Sequence, residues 1–437
     1  MSINEEYFNS EDFRELLNSY EASIEAGDQP FMDADDLVDI ADYYNQDGKI
    51  DEALQVIEYA LELYPNATLP NVFMAREALM NYDFEEARRY ADCIEEHDDP
   101  DYHYLMAEIM IAEGQIEKAD RYLRDYGLTV SADEYQDFIK DCANLYIDYG
   151  ISNKAYQWLM RSKGDDSSDF KELMGRILFG LGKYKDSERV FNELIDRNPY
   201  SSKYWKALSG VQMMNEDYSG AVTSSEYAIA IDPDDPEGML AKANALFHLG
   251  NYEEAEKYYQ RYSEANPGDD SGQMELVFCY SALKQPEKAL QTLNQLEDTT
   301  ADHADWLVVK GHILLENQQP VEAEKAFHQA IKESHFSPSI MLRIIVSLYD
   351  NRYIRPCYYM LKRFCELFGE GEGAYPESYC YMALCCHDLG YREEFLENLQ
   401  KATEYTPKEA KTVLGFLFPP EIDVNDYYDY MTHQLRK

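Results

Sequence analysis

Apolar residues recur along most of the chain at the three- and four-residue spacing of amphipathic helices, and the pattern repeats about every 34 residues. One small residue marks the same place in each repeat, and a second small residue lies twelve positions before it. The first series is Ala53, Ala87, Ala119, Ala155, Ser187, Ala221, Ala255, Ala289 and Ala323; the second is Ala41, Ala75, Ala107, Ala143, Gly175, Ser209, Ala243, Val277 and Gly311, in which Val277 is the one poor fit. The pattern predicts paired helices.

Small side chains at matched positions indicate where two helices cross closely, because bulky side chains would hold the helix axes apart. Many second helices are followed by a proline, which cannot continue a helix. These prolines are Pro65, Pro199, Pro233, Pro267 and Pro407. We interpret the large residues on the inward faces as core: Tyr44, Tyr146, Phe191, Trp205, Tyr259 and Phe327.

Both ends of the array carry segments that predict caps, which a repeat array needs to cover its terminal apolar faces. Ser10 can cap a helix that ends at Gly27, within an N-terminal capping region of residues 1–32. The repeats are expected over residues 33–407. Residues 408–437 are expected to form the C-terminal capping helices and tail.

The repeat resembles the tetratricopeptide family in its small residues, its turns such as Gly182-Lys-Tyr and Gly250-Asn-Tyr, and its closing prolines. The fullest matches are residues 34–67, 168–201, 202–235 and 236–269. Two weaker units fall near 337–370 and 376–407, where Pro356 and Phe395 stand at the expected alanine position. The resemblance implies an all-α fold: an α-solenoid of about eleven helical hairpins, wound as a right-handed superhelix with helical caps.

The chain is strongly acidic, with a formal net charge of −45. Residues 1–150 alone hold 38 Asp and Glu against 9 Lys and Arg. Such a field repels nucleic acid and anionic membrane surfaces, so we expect neither as a partner. It either steers a basic partner to the first third of the chain or serves only to keep the protein soluble.

The start of the chain lacks the basic residues and apolar run of a secretory signal, and we find no apolar run long enough to cross a bilayer. Eight cysteines fall within helical patterns and include no Cys-x-x-Cys pair. Reduced, buried thiols are the simplest interpretation. We therefore expect a cytoplasmic protein without membrane insertion.

In the tetratricopeptide family, the first helices of successive hairpins line a groove that accepts a peptide or a helix. Carried over to this chain, the resemblance places Asp35, Asp39 and Asp42 at an acidic mouth, followed by Arg76. The partner-binding residues that follow are Lys140, Asn144, Arg176, Phe179, Lys203, Lys206, Met213, Met214, Asn244, Phe247 and Phe278. The resemblance thus implies a basic, aromatic middle in which methionine and phenylalanine anchor the partner.

Some chaperone-binding members of the family hold a partner's terminal carboxylate with two lysines, two asparagines and an arginine. Lys140, Asn144 and Lys203 match this arrangement, whereas Leu173 and Ala207 replace the second asparagine and the arginine. Charge-assisted hydrogen bonds would give such a clamp its strength. These lysines would otherwise only balance neighbouring acids.

The sequence contains no set of residues that predicts catalysis, a cofactor or a metal. Cys380, Cys385, Cys386 and His387 lie on one predicted helix, but adjacent cysteines point about 100° apart on a helix, which suits zinc poorly. The segment Gly369–Gly373 follows a helix and carries two glutamates, so it is unsuited to phosphate. No nucleophile elbow, kinase motif or P-loop is present.

Three functions follow from these features. The first is a non-catalytic scaffold that binds a peptide or helix of a partner protein in the groove. The second is an acidic chaperone for basic proteins, which the charge of residues 1–150 favours. The third is a groove that takes a small ligand or substrate near Arg176, Lys203 and Asn244.

Overall fold

The computed structural model describes residues 5–8, 10–27, 29–46, 48–162, 164–297, 302–368 and 375–435. Within these ranges the regular secondary structure is entirely helical. The chain forms two compact units, Met1–Asn215 and Glu216–Lys437. The division falls inside the repeat predicted over residues 202–235.

The first unit consists of helices that pack mainly with their neighbours in the chain. The helices are α1 (Glu5–Phe8), α2 (Glu11–Ala26), α3 (Ala34–Gln46), α4 (Ile50–Leu63), α5 (Thr68–Met80), α6 (Phe84–Cys93), α7 (Pro100–Ala112), α8 (Ile116–Tyr126), α9 (Tyr135–Asp148), α10 (Ser152–Leu159), α11 (Ser168–Gly180), α12 (Tyr184–Arg197) and α13 (Ser202–Met214). Five hairpins form, from α3/α4 to α11/α12, and α13 packs on α12. The first helices also contact one another along the row from α3 to α11.

The second unit continues the same construction. Its helices are α14 (Tyr218–Ile231), α15 (Pro236–His248), α16 (Tyr252–Ala265), α17 (Ser271–Ala282), α18 (Pro286–Gln295), α19 (His303–Glu316), α20 (Pro320–Glu333), α21 (Pro338–Asp350), α22 (Ile354–Phe368), α23 (Ser378–Leu389), α24 (Arg392–Tyr405), α25 (Pro407–Leu414) and α26 (Tyr427–Leu435). Five hairpins form from α15/α16 to α23/α24, and α14 packs on α15. The predicted all-α solenoid of stacked hairpins is confirmed.

The small residues lie where the two helices of a hairpin cross, and they are fully buried. A Cβ added to Gly311 would come within 2.2 Å of the Phe327 ring, and one added to Gly175 within 2.8 Å of the Phe191 ring. The Ser187 hydroxyl donates to the Gly175 carbonyl oxygen at 2.7 Å. The close crossing thus depends on small residues at both positions.

The weaker repeat near residue 350 has the same close helix crossing. Its crossing residue lies one position later in the chain than the sequence analysis predicted. Cys357, rather than Pro356, lies at the crossing, and its thiol donates to the Ile345 carbonyl oxygen at 3.4 Å. Pro356 is exposed in the first turn of α22, where no backbone N–H is needed. In the last hairpin Phe395 is buried at the position where alanine was expected.

The two ends of the array carry helical segments at the predicted places. The Ser10 side chain accepts a hydrogen bond from the Phe13 backbone N–H, and Gly27 ends α2 in the left-handed conformation. At the other end, the rings of Phe418 and Tyr427 stack with centroids 3.7 Å apart. The boundaries at residues 32 and 407 stay predictions.

Candidate functional site

A cavity of ≈ 480 Å³ opens along the first helices of the first unit. We call it the acidic groove. Helices α5, α7, α9, α11 and α13, with Tyr149 directly after α9, contribute its lining residues: Arg76, Asp101, Tyr104, Glu108, Asp141, Asn144, Leu145, Asp148, Tyr149, Glu172, Arg176 and Lys203. Of the predicted partner-binding residues, the groove brings together Asn144, Arg176 and Lys203.

Arg176 is the centre of a polar network that joins α9 to α11. Its guanidinium donates to the Asn144 side-chain oxygen and to Asp148, both at 2.7 Å. The Asn144 amide in turn donates to Asp148 at 2.9 Å. On the next helix the Lys203 ammonium pairs with Glu172 at 2.5 Å. Both predicted cations are therefore already paired with carboxylates.

A second network lies on α5, α7 and α9. Arg76 donates to Glu108 at 2.9 Å, and the Tyr149 hydroxyl donates to the other Glu108 oxygen at 3.3 Å. The Tyr104 hydroxyl donates to Asp141 at 3.0 Å. These contacts fix the carboxylates along the wall.

Carboxylates outnumber cations in the lining, with five of the former and three of the latter. Within the described part of the chain, Asp101 and Asp141 form no ion pair. Burial raises the pKa of each of these two carboxyls. The lining of the groove is thus anionic, whereas the resemblance implied a basic middle.

The other residues predicted for this unit lie outside the lining of the groove. Lys140 pairs with Asp137 at 2.7 Å, and this hydrogen bond raises the pKa of the Lys140 ammonium. Phe179 and Met214 are exposed, whereas Lys206 and Met213 are half-buried. The clamp residues Asn144 and Lys203 share the groove with each other but not with Lys140. The clamp stays a prediction.

In the second unit, three predicted residues lie on the first helices α15 and α17. Asn244 accepts a hydrogen bond from the Tyr259 hydroxyl at 2.8 Å. The Phe247 ring meets Tyr252 edge-on with centroids 5.1 Å apart, and Phe278 is partly exposed. No described cavity includes these three residues, and their role in binding stays a prediction.

Sequence reasoning missed all five groove carboxylates, yet a signal for one of them exists. The position directly after each small residue of the first helix reads Asp42, Arg76, Glu108, Asn144 and Arg176 in successive repeats. Four of these five residues line the groove. Taking that position in every repeat would have found Glu108. Asp101, Asp141, Asp148 and Glu172 occupy other positions of the repeat and carry no such signal.

The cysteines that had invited a metal interpretation are buried thiols. Cys380, Cys385 and Cys386 are fully buried, and burial raises the pKa of Cys380 and brings that of Cys386 to about 12. Cys385 lies with its sulfur 3.4 Å from that of Cys357. Among the residues that the structure describes, no three His, Cys, Asp or Glu side chains are placed to hold a metal. Gly369–Gly373 lies outside the described residues.

Two family profiles match the middle of the chain. Both are described as Tetratricopeptide repeat, and they match residues 172–236 and 212–274. A TPR repeat-containing protein YpiA of Bacillus subtilis is 20% identical over 374 residues, which cover 76% of this chain and 87% of that protein. None of the helices described in this chain is both long enough and apolar enough to span a membrane.

Two further relatives are similar over shorter stretches. The DnaJ protein P58IPK homolog of Arabidopsis thaliana is 35% identical over 212 residues, 44% of this chain and 42% of that protein. The Protein STIP1 homolog of Dictyostelium discoideum is 24% identical over 144 residues, 32% of this chain and 25% of that protein. The chain thus spans less than half of either relative.

Among solved structures, a tetratricopeptide repeat protein from Parabacteroides merdae is similar with a TM-score of 0.44 and 14% identity. The similarity covers 56% of this chain and 97% of that structure.

Proposed function

Because the chain is a multi-repeat tetratricopeptide protein, we propose that it is a non-catalytic scaffold that binds a peptide or helix of a partner protein in the acidic groove. The observation that carries this proposal is the groove itself, in which consecutive hairpins each present polar side chains to one cavity. A partner segment lying along this row would meet a new set of side chains at each hairpin.

The charges of the groove favour a basic segment. Asp101 and Asp141 gain a cationic partner when a lysine or arginine enters, because they form no ion pair within the described structure. A cation also offsets the cost of burying these carboxylates. Arg76, Arg176 and Lys203 are held by acids of the wall and can accept an acidic residue between the basic ones.

The alternative of an acidic chaperone for basic proteins rests on the same excess of carboxylates and on the charge of residues 1–150. The two functions differ in selectivity. A scaffold recognises one sequence, whereas a chaperone binds basic chains with little dependence on their order of residues. The proposal includes a cytoplasmic location, which the eight free thiols favour, and no nucleic acid or inserted membrane as partner.

The proposal is tested by comparing the proteins recovered with three forms of the chain. One is intact, one carries Asp101→Asn and Asp141→Asn, and a control carries Asp51→Asn and Glu52→Gln on the exposed face of α4. Both double variants remove two negative charges and keep the side-chain shape. Bound proteins are quantified, and their contact segments are located by crosslinking.

We expect a partner whose crosslinked segment is basic, lost with the groove variant and retained with the control. Equal recovery with both variants would place binding outside the acidic groove. Many unrelated basic proteins, all lost with the groove variant, would favour the chaperone.

A further inference from the structure

A second cavity, of ≈ 860 Å³, lies within the second unit between α20, α21 and α22. We call it the apolar slot. Its walls are mainly aliphatic and aromatic: Leu315, Phe327, Ile331, Phe336, Met341, Ile344, Leu348, Tyr353, Met360, Leu367 and Phe368. The slot has no counterpart in the sequence predictions, and it is separate in the chain from the acidic groove.

The slot lies at a loose junction between a second helix and the first helix that follows it. In this unit α16 and α22 pack closely on the first helix that follows, whereas α20 packs only loosely on α21. The connection between α20 and α21 places two successive residues, His335 and Phe336, in the left-handed region, with φ of 53° and 63°. Neither is glycine, so this turn is strained.

The first helices α19 and α21 still pack against each other, so the gap opens on the side of the second helices. Phe336 and Leu367 at its edge are 65% and 48% exposed.

The size and lining of the slot suit a small molecule. Ligand cavities in proteins measure about 300–1,000 Å³ and are mostly apolar with a few placed polar groups. The polar groups here are Glu324 and His328 on α20 and Arg363 on α22. Met341 and Met360 on the walls have flexible side chains that adapt to the shape of an apolar ligand.

The charge around the slot departs from that of the chain. Residues 331–368 contain six Lys and Arg against three Asp and Glu, in a protein whose net charge is −45. Arg363 is the cation in the lining, and within the described part of the chain its one ion pair is an exposed contact to Glu366 at 3.2 Å. Its remaining N–H groups can donate to an anion.

We propose that the apolar slot binds a small amphiphile, with an elongated apolar body between α20 and α22 and a single carboxylate-like group beside Arg363. The apolar walls provide the affinity, since they leave water when the ligand enters. Arg363 selects the anion by charge-assisted hydrogen bonds.

The test uses dodecanoate, below the concentration at which it forms micelles, titrated into the full chain by calorimetry. We expect saturable binding of one molecule per chain. Shortening the probe by two carbons to decanoate should weaken binding about tenfold, since each buried methylene contributes to affinity. Dodecanol, which lacks the charge, should bind about tenfold more weakly.

Two variants test whether the probe binds in the apolar slot. Met360→Trp and Ile331→Trp each fill it from an opposite wall, and either should weaken binding about tenfold or more while the thermal unfolding of the protein remains cooperative. Using both keeps the test valid if one of them fails to fold.

A matched pair of substitutions tests the contribution of the Arg363 guanidinium to binding. Arg363→Glu should weaken dodecanoate binding about tenfold and leave dodecanol binding unchanged. Lys362→Glu makes the same charge change at the adjacent residue, which lines a different depression with Cys365 and Tyr379, and should have little effect. Absence of saturable binding, binding unchanged by both tryptophan variants, or equal effects of Arg363→Glu and Lys362→Glu would each overturn the proposal.

Discussion

The carboxyl of Asp42 on α3 lies one position after a small crossing residue, as Arg76, Glu108, Asn144 and Arg176 of the acidic groove do. Burial, with a further contribution from the negative charge of Asp39, raises its pKa to about 6, and Arg76 opposes this shift. The carboxyl therefore costs free energy when it ionises in the folded protein. A buried carboxyl that lowers stability in this way is typical of a position retained for function.

The pH dependence follows from that shift. Because the folded-state pKa lies above the ordinary value of 3.8, the Asp42 carboxyl stabilises the fold below about pH 4, and this contribution is lost as the pH rises through 6. Asp42→Asn should therefore raise the free energy of unfolding at pH 7.5 by about 1–2 kcal/mol and change it little at pH 4. Urea unfolding at the two pH values measures this.

The exposed substitution Asp51→Asn is the control and should not alter the difference between the two pH values. If Asp42→Asn showed the same pH dependence as the original protein, the burial of this carboxyl would not carry the cost that we assign to it.

Substitution of glycines inside the helices distinguishes positions at a close helix crossing from positions that face open space. Gly311→Ala should lower the free energy of unfolding by about 1–3 kcal/mol, because the added Cβ would overlap the Phe327 ring. Gly210→Ala, also within a helix, meets nothing within 4 Å and should be neutral or stabilising by up to about 1 kcal/mol. Denaturant unfolding of both proteins tests the contrast, which would be refuted by equal effects.

At the scale of helices and turns, every repeat needs a residue with positive φ between its two helices. Glycine fills this position in many repeats, for example at Gly182 and Gly250, whereas Tyr82, Lys284 and Gln318 fill it in others. An ordinary residue in the left-handed region costs roughly 1–2 kcal/mol. The turn geometry is therefore set by the hairpin and not by the residue that occupies it.

Tyr82→Gly should raise the free energy of unfolding by about 0.5–1 kcal/mol, since the relief of strain exceeds the entropy that glycine loses on folding. Tyr200→Gly is the control: Tyr200 is as exposed as Tyr82 but has no positive φ, and its replacement should be neutral or destabilising. Thermal unfolding measured on both variants decides the matter; a loss of stability in Tyr82→Gly would contradict the assignment of strain.

The hairpins could be predicted from sequence because the small residues act locally, within one pair of helices. The ion pairs could not be predicted from the sequence. Arg176 reaches from α11 to Asp148 on α9, a contact set by the angle between neighbouring hairpins, and Lys140 turns to Asp137 on its own helix. The apolar slot was not predicted, although the repeat near residues 337–370 that forms part of it was among the weaker matches because of Pro356.

At the scale of the whole molecule, net charge has two consequences for binding. A chain with a net charge of −45 attracts basic partners over a distance of about a Debye length, and salt weakens this attraction. The contacts inside the acidic groove are shorter in range and depend on particular carboxylates. The salt dependence of the affinity measures the long-range attraction. The variant with Asp101→Asn and Asp141→Asn measures the contacts inside the acidic groove.

The measurement that tests the groove most directly is the affinity of the chain for the basic segment of its crosslinked partner, titrated as a synthetic peptide at low and at high salt. With Asp101→Asn and Asp141→Asn together, we predict that affinity falls about tenfold or more at both salt concentrations. Asp51→Asn with Glu52→Gln should lower it only slightly, and mainly at low salt. If both double variants bound the peptide equally well, the acidic groove would not be the binding site.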